Sequence, residues 1–135
     1  MRLSLLVMPA LLALLPACDS EPAPAPPGVA TFEVEVARER FRVAMATAAQ
    51  AAEGRAHLAA GREGVLIGTL ARGDGGVNTG YGWHLLPETV SFPDVATEVC
   101  DGRPRSDVQS DLDYWIGTVR YYCPWGARIV REVPR

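Results

Sequence analysis

Lysine is absent from this chain of 135 residues, and all 13 basic residues are arginine. The 16 acidic residues leave a formal net charge of −3, and the arginines form no basic run along the sequence. Binding to nucleic acid or to anionic lipid headgroups usually requires a basic run or a strongly basic domain. We therefore expect no nucleic-acid partner.

A long membrane-spanning stretch is also missing, and the apolar run at the N-terminus is short. Arg2 precedes apolar residues from Leu3 to Ala17, and Pro9 and Pro16 interrupt them. A spanning helix needs about 20 apolar residues, so a secretory signal is the better interpretation. An ordinary signal peptide cut nearby would leave Cys18 as a free thiol.

The ending Leu15-Pro16-Ala17-Cys18 resembles the lipobox of bacterial lipoproteins. The resemblance implies cleavage of residues 1–17 as a signal peptide and acylation of Cys18. Two or more acyl chains hold a protein stably on a bilayer. We therefore expect a lipid-anchored protein of the bacterial cell envelope, outside the cytoplasm, on either the inner or the outer membrane. Asp19 resembles the residue that retains some lipoproteins in the inner membrane.

Cysteine is scarce, with three residues in the chain. Lipidation of Cys18 leaves Cys100 and Cys123 as the remaining pair, in a compartment that permits disulfides. Closing the loop between these two cysteines contributes about 3 kcal/mol to the free energy of unfolding in the chain-entropy model. We predict a Cys100–Cys123 disulfide, which argues against a catalytic thiol and against a cysteine metal site.

Three segments follow from the composition. Residues 1–17 are the predicted signal peptide, and residues 18–30 are a tether because alternating proline and alanine favour an extended chain without a core. Residues 31–135 have the size of one domain with a modest core.

Hydrophobic periodicity predicts the elements of this domain. Alternating apolar residues indicate a hairpin of two half-buried strands. A capping box of Thr47 and Gln50 begins a first helix that ends near Gly61, and a second box of Ser106 and Gln109 begins another. The predicted strands cover residues 31–36, 40–45, 65–71, 81–86, 89–92 and 127–133, and residues 73–80 form a glycine-rich loop. The order β-β-α-β-β-β-α-β predicts an α+β domain, a single antiparallel sheet with two packed helices.

The second half of the chain contains the segments Trp83-His84-Leu85, Val90-Ser91-Phe92, Glu98-Val99-Cys100-Asp101, Cys123-Pro124-Trp125 and Val130-Arg131-Glu132-Val133. In these segments it resembles the BP-seventy-four N-terminal-like family of small secreted domains. The resemblance implies a secreted α+β domain with both C-terminal cysteines in motif positions, and it implies no catalytic residue.

His84 is the one histidine with a candidate chemical role. Glu98 or Asp101 would orient it as a general base. No serine or cysteine lies in a nucleophile motif, however, so we favour a structural histidine. The acidic residues Asp107, Asp111 and Asp113 lack the spacing of a calcium loop, and we expect neither a metal nor another cofactor.

Ligand binding has better candidates among the arginine and aromatic side chains. Arg103 and Arg105 lie near a turn and suit a carboxylate or a phosphate, although Arg103 would also pair with Asp101. Tyr81, Tyr121 and Tyr122 are predicted to be exposed aromatics for a protein or a glycan. Trp115 and Trp125 are predicted to be packed.

These features favour a membrane-anchored, extracytoplasmic domain that binds a partner without catalysis. Two alternatives remain open. One is a small hydrolase that uses His84 with Glu98 or Asp101, and the other is an exported peptidase inhibitor.

Overall fold

A computed structural model describes residues 28–134 of the chain. The predicted signal peptide of residues 1–17 and the predicted lipid anchor at Cys18 lie outside this range. No helix within residues 28–134 combines the length and the apolar character that crossing a bilayer requires.

The strands form two antiparallel sheets of three strands each. The elements are β1 (Ala30–Val36), β2 (Glu39–Met45), α1 (Ala48–Ala60), β3 (Gly68–Arg72), β4 (Trp83–Leu85), a helical turn α2 (Leu112–Tyr114), β5 (Tyr121–Tyr122) and β6 (Arg128–Glu132). The first sheet has the order β2-β1-β6 and the second the order β4-β3-β5. The α+β class is confirmed, but the single sheet of the prediction is divided into two.

The hairpin of β1 and β2 forms as its alternation predicts. Val36 pairs with Glu39, and the two residues between them, Ala37 and Arg38, have φ values of 50° and 70°. Positive φ at both turn residues matches the right-handed twist of the flanking strands. The apolar face of the hairpin is buried, so the opposite face is left for charged side chains.

Helix α1 begins and ends where its caps predict. The Thr47 hydroxyl accepts the Gln50 N–H at 3.2 Å, and the Gln50 side chain accepts the Thr47 N–H at 2.9 Å. Gly61 ends the helix in the left-handed conformation at φ 63°. The Gln50 amide also donates to the carbonyls of Pro87 and Val90, which fixes the helix against the neighbouring loop.

Residues 104–119 form an irregular helical segment of π, 3₁₀ and α turns. The predicted capping box at Ser106 is wrong, because the segment begins earlier, at Pro104, a residue that suits a first helical position. The Asp107 carboxylate accepts the Arg103 N–H at 2.7 Å instead, and the Ser106 hydroxyl bonds Glu39.

The predicted strand over residues 89–92 is reduced to one bridge between Ile67 and Ser91. Pro87 opens a 3₁₀ turn over Pro87–Thr89, which interrupts the strand. The strand Tyr121–Tyr122 instead pairs with β3, although the sequence did not predict it. The two sheets enclose a core whose largest fully buried side chains are Trp83, Tyr122, Phe32, Phe41 and Met45.

Candidate functional site

An apolar pocket of about 310 Å³ opens beside the Cys100–Cys123 pair. Two large apolar side chains on it face solvent, Val99 at 69% exposure and Tyr121 at 50%. Such exposed apolar side chains around a concavity are typical of binding surfaces. We call this the disulfide pocket, and its lining residues are Ile67, Ala96, Thr97, Val99, Cys100, Val119 and Tyr121.

Three constraints position the wall of the disulfide pocket. The structure joins Cys100 and Cys123 with their Cα atoms 5.0 Å apart, within the range of a disulfide. The Cys123 N–H also donates to the Cys100 carbonyl at 2.8 Å. Tyr121 pairs with Thr69 of β3, so the wall is tied to the second sheet. The segment that carries Val99 is therefore tied through Cys100 and Cys123 to the end of β5.

The exposure of the aromatic side chains near the disulfide differs in part from the prediction. Tyr121 is exposed on the disulfide pocket, but the expectation that Tyr122 is exposed is wrong, because alternation along β5 turns its ring into the core. The Tyr122 hydroxyl donates to the Gly102 carbonyl at 2.8 Å. Trp125 was expected to be packed, yet it lies in a turn and is 45% exposed, whereas Trp115 is buried as expected.

A second, polar pocket of about 230 Å³ lies beside β2, at the edge of the first sheet. The Arg105 guanidinium stacks 4.5 Å from the centre of the Tyr81 ring. The structure thus brings together two predicted ligand residues, although Tyr81 is buried rather than exposed. We call this the arginine pocket, and it is lined by Glu33, Arg40, Phe41, Arg42, Asn78, Thr79, Tyr81 and Arg105.

Two glutamates of β1 anchor the arginines around this pocket. Glu33 accepts hydrogen bonds from Arg131 at 2.8 Å and from Arg40 at 3.3 Å. The bond from Arg131 is the main reason that the pKa of Glu33 lies below its ordinary value. Glu35 accepts from Arg128 at 2.7 Å and from Arg40 at 3.0 Å. These bonds likewise lower the pKa of Glu35, so both carboxylates are charged at neutral pH.

Glu39 does not line the arginine pocket, but it bonds the backbone of Arg105, which does. Burial raises the pKa of its carboxyl group, but hydrogen bonds from Ser106 and from the Arg105 N–H outweigh that effect and leave the pKa below its ordinary value. The Arg105 N–H donates to Glu39 at 2.6 Å. The backbone of Arg105 is therefore fixed, while its guanidinium extends over Tyr81. Burial raises the pKa of the Tyr81 hydroxyl, which stays protonated.

The remaining candidates do not form a common site. His84 Nδ1 lies 2.8 Å from the Gly73 carbonyl, and Asp101 accepts the Trp125 N–H at 3.1 Å. Within residues 28–134, no hydrogen bond or ion pair joins His84 to Glu98 or Asp101. Arg103 pairs with Asp107 at 3.2 Å rather than with Asp101, and this occupies its guanidinium.

Asp111 and Asp113, which were considered for calcium, and Asp74 of the glycine-rich loop are all engaged in other contacts. Asp111 accepts the Tyr114 N–H at 3.2 Å, and Asp113 pairs with Arg72. Asp74 accepts the Gly76 N–H at 2.9 Å inside the glycine-rich loop. Over the described part of the chain, no group of three or more histidine, cysteine, aspartate or glutamate side chains could hold a metal ion.

Sequence reasoning missed Arg40 and Arg42, which line the arginine pocket, and Val99, which lines the disulfide pocket. A signal for the arginines was present, because alternation in β2 places both on the polar face opposite Glu35 and Glu33. Val99 carried no such signal, since its exposure depends on how the cysteine-bonded turn folds.

A protein-family model described as the BP-seventy-four N-terminal domain matches residues 28–135. The match covers both pockets and both C-terminal cysteines. No curated protein and no solved structure matches the chain.

Proposed function

The chain belongs to the BP-seventy-four N-terminal domain family, and we propose that this member is a non-enzymatic, protein-binding domain held at a bacterial membrane by a lipid on Cys18. The observation that supports binding is the disulfide pocket, where Val99 and Tyr121 remain exposed on a wall fixed by Cys100 and Cys123. The anchor is supported by the lipobox-like ending before Cys18.

The chemistry of the disulfide pocket favours a protein partner over a glycan. Its lining carries two polar side-chain groups, the hydroxyls of Thr97 and Tyr121, and the other side chains are apolar or the bridged Cys100. A glycan presents many hydroxyl groups that need polar partners, whereas an apolar side chain gains free energy from burial alone. Tyrosine at the rim suits a protein interface, because it offers a large rigid surface and one polar atom.

The pocket is also preorganised. Its wall is fixed by the paired cysteines and by the pairing of β5 with β3. A partner therefore loses little binding free energy to ordering of this surface. The size, about 310 Å³, fits one or two inserted side chains rather than a long segment.

Crosslinking in the native envelope tests the binding role. A photoreactive residue at Tyr121, which is 50% exposed on the disulfide pocket, should capture a discrete protein partner. The matched control is the same residue at Tyr114, which is 49% exposed but does not line the pocket. Val99→Asp should reduce capture at position 121 about tenfold or more, because it places an unpaired charge against an apolar partner.

Val99 is 69% exposed, so Val99→Asp should leave the midpoint of the unfolding transition unchanged. Equal capture from positions 114 and 121, or capture that Val99→Asp leaves unchanged, would contradict a binding role for the disulfide pocket.

The anchor has a separate test. Mass spectrometry of protein extracted from membranes should find a diacylglyceryl group on an N-terminal Cys18, and Cys18→Ser should remain uncleaved or leave the membrane fraction. An unmodified N-terminus at another residue would overturn the anchor while leaving the binding proposal intact.

A further inference from the structure

The outer face of the first sheet carries more positive than negative charge. Glu33 and Glu35 of β1 lie between Arg42 and Arg40 of β2 on one side and Arg131 and Arg128 of β6 on the other. The four arginines and two glutamates leave an excess of about two positive charges. Adding Arg105, which lines the arginine pocket, and Glu39, which accepts the Arg105 N–H, leaves that excess unchanged. The whole chain has a formal net charge of −3, so the net charge of this face is opposite in sign to that of the chain.

The guanidinium groups of Arg42 and Arg105 in the arginine pocket have N–H donors left for a ligand. Glu33 is bonded mainly by Arg131 and Arg40, and Arg42 approaches it only to 3.9 Å. Within residues 28–134, the Arg105 side chain makes no ion pair, and its guanidinium stacks on the Tyr81 ring. Stacking on an aromatic face holds a guanidinium plane and leaves its edge donors free.

The walls of the arginine pocket are fixed by buried hydrogen bonds. Asn78 is 1% exposed, and its side chain accepts the Arg42 N–H at 2.9 Å and donates to the Trp83 carbonyl at 3.0 Å. The Tyr81 hydroxyl donates to the Arg40 carbonyl at 2.7 Å. These bonds join the strand that carries Arg40 and Arg42 to the loop beneath it. The pocket is therefore formed before any ligand enters.

We propose that the arginine pocket is a phosphate-binding site, separate from the disulfide pocket and independent of its proposed role. A phosphate monoester or inorganic phosphate carries about −1.5 to −2 at neutral pH, which matches the local excess charge. Arg42 and Arg105 approach from different elements and supply fork-shaped donors, and the exposed Thr79 hydroxyl adds a neutral one. The volume of about 230 Å³ suits a phosphate group with little else attached.

Calorimetric titration of the full-length protein in detergent with inorganic phosphate tests the proposal. We expect saturable binding that weakens as salt rises. Arg105→Gln should weaken it about tenfold or more, because hydrogen bonds to a charged group are lost. Arg103→Gln is the matched control, since Arg103 lies two residues away, pairs with Asp107 and does not line the pocket. The control should stay within about twofold of the natural protein.

The source of the phosphate is distinguished by a second arm with vesicles. Binding of free phosphate supports a soluble ligand. Arg105-dependent binding to phosphatidylcholine vesicles that contain phosphatidylglycerol, without binding of free phosphate, supports a lipid headgroup. Vesicles of phosphatidylcholine alone are the reference for both.

Three results would overturn the proposal. The first is no binding in either arm. The second is equal weakening by Arg103→Gln and Arg105→Gln, which would indicate a general effect of charge. The third is binding of succinate, a dicarboxylate, at least as tight as that of phosphate. None of these outcomes bears on crosslinking at Tyr121, because the two pockets share no residue.

Discussion

Trp83→Ala should lower the free energy of unfolding by about 3–5 kcal/mol, the usual range for removing a buried tryptophan. Trp83 is fully buried at the centre of an aromatic cluster. Its ring centre lies 5.4 Å from those of Phe41, Tyr81 and Tyr122, so the substitution removes contacts to both sheets at once. Urea unfolding followed by circular dichroism measures the change.

Trp125→Ala is the matched control, because the same side chain is removed from a site that is 45% exposed. Its cost should stay near or below about 1 kcal/mol. Trp83→Phe should fall between the two, since it keeps most of the apolar surface and removes an indole N–H that has no partner among the described residues. A loss at Trp125 equal to that at Trp83 would show that the aromatic cluster is not the centre of the core.

The hairpin and the first helix were predictable because their signals are local. Alternation of apolar residues gives the two faces of β1 and β2. The Thr47–Gln50 pair specifies the start of α1 through two hydrogen bonds between residues close in sequence. Gly61 ends the helix because a left-handed residue is required there. None of these features depends on distant parts of the chain.

The second half was less predictable because its elements are decided by tertiary contacts. The strand Tyr121–Tyr122 has two residues and forms only because β3 is available as its partner. The capping box of Ser106 and Gln109 places the start of the helical segment 104–119 incorrectly, because the segment begins at Pro104 and its hydrogen-bond pattern then changes along its length. Exposure of Trp125 likewise follows from the turn after Cys123 and not from the residue type.

The candidate sites were predictable in part. Tyr121 and the pair Tyr81 and Arg105 were recognised as residue types suited to ligands, and the structure places each of them on a pocket. The partners of Arg105 were not recognised, because Arg40 and Arg42 lie more than 60 residues earlier and meet it only in the folded sheet. A search for runs of basic residues cannot find a site assembled in this way.

Loss of the Cys100–Cys123 bridge is expected to impair the disulfide pocket and to leave the arginine pocket intact. Replacing both cysteines with alanine should lower the free energy of unfolding by about 2–5 kcal/mol, because the unfolded chain is no longer constrained. It should also reduce crosslinking from Tyr121, because the bridged Cys100 forms part of the disulfide pocket wall. Phosphate binding should persist in the folded fraction, since the arginine pocket depends on Asn78, Tyr81 and the first sheet.

Three measurements on the natural protein and the double variant test this expectation. Alkylation should label neither cysteine of the folded natural protein until reductant is added, and free reactivity of either would contradict the bridge. Urea unfolding gives the stability difference, with Cys18→Ser as the control that removes a cysteine outside the pair. Crosslinking from Tyr121 that survives the double substitution at full yield would mean that β5 and its pairing with β3 hold the pocket without the bridge. In that case the disulfide would stabilise the domain but would not shape its binding surface.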